Sequence, residues 1–152
     1  MGKLKKLLKL SPADLLLLVR AAVLLVIVDL GLRLLPFQML QAILARRPLR
    51  WRSQQAADER SLGRRRRAVE VAGGYVGASC LKKALTLQWL LSRRGVSTRL
   101  WLGVQRWEGT LRAHAWLEHN GRVIVGGPGG ERYTPLHCFD GGDASAKSIV
   151  EI

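Results

Sequence analysis

The chain has 152 residues, 48% hydrophobic and 24% charged, which fits one folded domain with a helical appendage and excludes the disordered and fibrous classes. Its net charge of +14 is uneven: residues 1–67 hold fifteen Lys or Arg against four acids (+11), and residues 68–152 hold ten against seven (+3). Such a field suits an acidic peptide, a nucleic-acid backbone or an anionic membrane surface, while two cysteines, Cys80 and Cys138, are too few for a disulfide scaffold and point to a reducing, cytoplasmic compartment.

A basic opening, with Lys3, Lys5 and Lys6, leads into a very apolar stretch. Ser11-Pro12-Ala13-Asp14 starts a helix: Ser11 caps it, Pro12 takes the first helical position and Asp14 lies in the first turn. Pro36 stops it after Leu35. Arg20, Asp29 and Arg33 interrupt the stretch, and its longest charge-free piece, Ala21 to Val28, is far short of the roughly 20 residues that span a bilayer. A buried or interfacial helix is expected, with docking on the rest of the chain or on a partner and a peripheral membrane contact as its outlets. A second short helix follows from Phe37 to Ala45, and Arg46 to Gln55 reads as a basic irregular segment containing Trp51.

Residues 56–72 have helical character and carry the run Arg64-Arg65-Arg66-Arg67, which reads either as a solvated face or as a docking patch for an acidic peptide. Gly73, Gly74 and Gly77 break that helix ahead of Cys80. From Cys80 to Arg94 the pattern is helical, with Leu81, Ala84, Leu85, Gln88 and Leu91 on one side and Gly95 at the end. Ser97 to Val104 alternates as a half-buried strand, and Arg106 to Thr110 turns. Leu111 to Glu118 is a second strand, with Arg112, His114, Trp116 and Glu118 sharing a face. Asn120-Gly121 is a hairpin turn that returns Arg122 to Val125 antiparallel to it. The loop Gly126 to Gly130 lacks the spacing and the lysine of a phosphate cradle, and His137-Cys138 has no partners at zinc spacing. Neither cofactor nor metal is expected, and no nucleic-acid motif accompanies the arginine run.

A Cys at a helix start followed by antiparallel strands, one bearing a His, is an arrangement suited to nucleophilic catalysis. An isolated thiol ionises near pH ~8.5, and a helix N-terminus with a neighbouring imidazolium favours the thiolate. The free N–H groups of the helix start can hold an oxyanion. Cys80 is therefore the candidate nucleophile and His114 the candidate base. The same two residues also have ordinary structural roles, a small buried hydrophobe and a hydrogen-bonded strand residue. The expected fold class is α+β with a papain/transglutaminase-like core: an N-terminal basic helical region over residues 1–60, then a catalytic domain over 61–152.

The flanking residues carry more. Cys80-Leu81-Lys82-Lys83-Ala84-Leu85, Trp89 to Val96, Arg99 to Val104 and Ala113-His114-Ala115-Trp116-Leu117-Glu118 together resemble the transglutaminase-like B protein of lasso-peptide gene clusters. The resemblance covers about residues 76 to 137, and Leu34-Leu35-Pro36-Phe37 is similar to the same family. It implies a cysteine peptidase that cuts the leader from a ribosomally made precursor peptide and frees the core's N-terminal amine. It also implies a separate leader-recognition protein and an ATP-dependent cyclase as partners. Trp116 is expected to pack over the imidazole.

In that family an Asp about twelve residues after the His, on the next strand, orients the imidazole. A two-residue turn at Asn120-Gly121 puts His119 opposite Arg122 and His114 opposite Gly127, so the acid's place falls on Gly126 or Gly127, which have no side chain to offer. Glu118 is the first substitute, on the face of His114 but about 13 Å along the strand. Glu131, Asp140 and Asp143 are others, and a main-chain carbonyl or an amide can do the same work. Gln88 is expected in the core, with Tyr75 and Ser79 bordering the nucleophile. The competing expectation is a non-catalytic basic adaptor on the same fold.

Overall fold

The computed structural model describes residues 11–45, 58–127 and 133–140. Helix α1 spans Pro12–Leu34, α2 Phe37–Ala45, α3 Glu59–Tyr75 and α4 Cys80–Ser92. Strands β1 Arg99–Trp107, β2 Thr110–His119, β3 Arg122–Val125 and β4 Thr134–Asp140 form one antiparallel sheet in the order β3-β2-β1-β4. The expected α+β class is what the chain adopts.

The cap residues behave as their chemistry requires. Ser11 accepts from the Asp14 N–H at 3.2 Å, and the chain leaves α1 at Leu35, ahead of Pro36. Asp58 caps α3. That helix runs through Gly73 and Gly74 to Tyr75 and is closed by the turn at Gly77 (φ +63°), where the Ala78 N–H reaches back to the Gly73 carbonyl at 2.9 Å. Both hairpins use tight two-residue turns, Asn120-Gly121 and Glu108-Gly109, with positive φ at all four positions.

One apolar core joins all four helices to the sheet. Ala21, Leu25 and Val28 of α1, Leu40 and Leu44 of α2, and Ala68, Val69 and Ala72 of α3 surround Leu85, Leu87 and Leu91 of α4. Leu100, Leu117, Ile124 and Val125 close it from the sheet. The core therefore runs across residue 60, the boundary expected between helical region and catalytic domain. Helix α4 was expected to bury one side, yet Thr86, Leu87 and Leu90 are buried as well, because the other helices and the sheet enclose it. Polar links cross the core: the Ser92 hydroxyl donates to the Leu44 carbonyl (3.2 Å), and Gln41 Nε2 donates to Gln88 Oε1 (3.4 Å), placing Gln88 inside as expected.

Two ion pairs fasten α1. Arg64 reaches Asp14 at 2.6 Å and Lys82 reaches Asp29 at 2.6 Å. The hydrogen bond from Ser11, then that from Arg64, holds the Asp14 carboxyl below the usual carboxylate range, and the hydrogen bond from Lys82 does the same for Asp29. Much of the arginine run is thus engaged within the chain: Arg64 with Asp14, Arg65 with Ser61, and Arg66 with Glu70. The segment Arg46 to Gln55, including Trp51, lies outside the described residues.

Candidate active site

Cys80 is the first residue of α4. Ser79 caps the helix, its hydroxyl accepting from the Lys82 N–H at 3.5 Å. The next bond, Lys83 N–H to the Ser79 carbonyl (3.1 Å), is the first of the helical ladder, and among the described residues the N–H groups of Cys80 and Leu81 make no hydrogen bond. Cys80 is partly exposed, whereas Cys138 is buried. Gly77, the Ala78–Gly73 bond and the Ser79 cap form a short rigid bridge from α3, which fixes where the helix begins.

Strand β2 carries His114. Its far end is tied to the connection between α4 and β1, because His119 Nδ1 lies 2.6 Å from the carbonyl of Ser97. Cross-strand register gives its facing. Leu100 pairs with Leu117 and Phe139 and points into the helical core, while Trp101 pairs with Trp116 and Cys138 on the other face. His114 shares the Trp116 face. No hydrogen bond joins His114 to the Cys80 thiol among the described residues.

The imidazole is held from three sides. Its Nε2 lies 2.6 Å from the carbonyl oxygen of Gly126, twelve residues on. A carbonyl only accepts, so Nε2 carries the hydrogen and Nδ1 keeps a lone pair free to take a proton. The Tyr133 ring stacks on it at 4.7 Å and Trp116 at 6.2 Å, the latter as expected. Trp116 in turn stacks on Trp101 at 6.2 Å and leans across β1 at Gly103, where a Cβ would lie 2.8 Å from the indole.

The orienting group thus sits at the position expected for an acid but belongs to the backbone. Register explains how. A bulge puts Leu117 opposite Val125, so one residue of β3, Ile124, is extra and the chain beyond it shifts by one. Gly126 then lies over Trp116 with φ +108°, and a Cβ there would stand 2.6 Å from the Trp116 Cβ. Only glycine fits, and its carbonyl is what faces the histidine. Glu118 is brought elsewhere: it pairs with Arg99 and Val123, four residues along β2, and no hydrogen bond or ion pair joins it to His114 among the described residues. Asp140 pairs with Arg99 at the same remote end, and Glu131 and Asp143 lie outside the described residues. Tyr75 is exposed at the end of α3. Tyr133 was missed by the sequence reading, since nothing local ties it to His114.

A model of the Transglutaminase-like superfamily matches residues 22–138. No curated protein and no solved structure matches the chain.

Proposed function

The chain belongs to the transglutaminase-like superfamily, and on that premise we propose that it is a cysteine peptidase that removes the leader from a lasso-peptide precursor. The superfamily includes cysteine peptidases; the lasso assignment is supported by the stretches around Cys80 and His114 that resemble the B proteins of those clusters. The observation that carries the catalytic reading is the His114–Gly126 bond, which leaves Nδ1 as the one ring position that gains and loses a proton.

In this mechanism His114 Nδ1 takes the Cys80 proton as the sulfur attacks the scissile carbonyl. The free N–H groups at the start of α4 receive the oxyanion. The imidazolium then gives its proton to the departing amine of the core peptide, leaving a leader acyl-thioester on Cys80. Water, deprotonated by the same nitrogen, releases the leader. Catalytic hydrogen bonds are often long in a free enzyme and close on the bound substrate, which accords with the unlinked thiol and imidazole. The precursor, a leader-recognition protein and an ATP-dependent cyclase that consumes the freed amine are the partners of this reading, in the cytoplasm, where the thiol stays reduced.

The missing Cys80–His114 link favours one alternative, a non-catalytic basic adaptor on the same fold. Mass spectrometry of a leader-containing precursor incubated with the chain and its leader-recognition partner separates the two. A peptidase yields a leader fragment that Cys80→Ala abolishes; no fragment from the wild type, or an unchanged one from the variant, overturns the assignment.

A further inference from the structure

Helix α1 has two unlike faces. At about 100° per residue, Leu15, Val19, Val23, Ile27, Leu30 and Leu34 fall within one arc of roughly 120°, and each is at least 46% exposed. The opposite face holds Ala21, Leu25 and Val28, which are fully packed. Both acids of the helix lie off the arc, Asp14 on Arg64 and Asp29 on Lys82. Arg20 and Arg33 border it, and α2 adds Met39 and Ile43, also exposed.

We propose that this face lies in the surface of an anionic lipid bilayer, with α1 parallel to the membrane plane and the sheet on the aqueous side. Charge selects the occupant. The first 67 residues carry a net +11, which repels a second copy of the chain and attracts an anionic surface. Shape agrees, because an arc of aliphatic side chains offers none of the aromatic or hydrogen-bonding anchors on which protein interfaces concentrate their energy, while lipid needs only apolar area. The helix is long and apolar enough by length and composition to cross a bilayer, with a mean hydropathy of 2.6. Crossing would strip it from α3 and α4, break both ion pairs and carry Arg20, Asp29 and Arg33 towards hydrocarbon, so lying in the plane is the arrangement that keeps the fold. The proposal does not rest on the peptidase reading.

Flotation of the full chain with phosphatidylcholine vesicles, with and without phosphatidylglycerol, tests it. The chain should float with the anionic vesicles, less so at high salt. Val23→Glu/Ile27→Glu, both on the solvent side, should cut the bound fraction by more than about tenfold with an unchanged circular-dichroism spectrum. Arg20→Glu should weaken binding more mildly, and Cys80→Ala should leave it intact. Absence of binding, equal binding by the double Glu variant, resistance to alkaline carbonate extraction, or lipid-free self-association abolished by the same two changes would each overturn it.

Discussion

The His114 end of the sheet and the outer face of α1 are built on opposite principles. Around His114 every contact is singular: one carbonyl, two aromatic rings and one glycine that admits no Cβ. Along α1 the exposed side chains are interchangeable aliphatics, and only the inner face is particular, through Ala21, Leu25, Val28 and two ion pairs. Chemistry demands fixed atoms, while adhesion demands area. Single substitutions should therefore be severe in the first region and mild on the outside of the second.

Gly126→Ala breaks the first region hardest. A Cβ there meets Trp116 and imposes a strained φ, a cost of about 2–4 kcal/mol read by chemical denaturation. In the protein that remains folded, displacement of the orienting carbonyl should lower kcat/KM for leader cleavage by about a hundredfold. Glu118→Gln marks the other extreme. With Nε2 already held by Gly126, this change should move kcat/KM by no more than about twofold, the reach of a surface substitution worth about 0.5 kcal/mol. A large loss with Glu118→Gln and none with Gly126→Ala would reverse the assignment of the orienting group.

Acid probes the inner face of α1, with an effect between these two. Folding lowers the titration of both Asp14 and Asp29, so their contribution is complete above about pH 4 and is lost as pH falls through the lowered values. The thermal midpoint should fall between pH 6 and pH 3, and fall less in an Asp14→Asn/Asp29→Asn variant. Equal falls would show that these pairs do not hold the helix.

Much of this was legible in the sequence where local chemistry decides structure. Ser11-Pro12 and Pro36 bound α1, Asn120-Gly121 sets the β2–β3 hairpin, and Gly95 closes the turn three residues past the end of α4. What was hidden depends on contacts between distant segments. Strand β4 contains Pro135, which argues against a strand until the sheet order shows that β4 is an edge. The place of the orienting group, Gly126 or Gly127, and a main-chain carbonyl as one candidate for it were legible, but the choice of the Gly126 carbonyl depends on the bulge after Leu117, which no turn residue announces. Tyr133 meets His114 only because the chain returns past β1, and Arg64 reads as free charge until Asp14, fifty residues earlier, is folded onto it.

The proposed function requires Cys80 and His114 to act as one pair. Site-resolved alkylation by iodoacetamide at neutral pH, followed by mass spectrometry, tests it without needing the substrate, and the buried Cys138 serves as the internal reference. Cys80 should react faster than an ordinary exposed thiol and lose about tenfold or more of that rate in His114→Ala. An unchanged Cys80 rate in that variant would contradict the pairing.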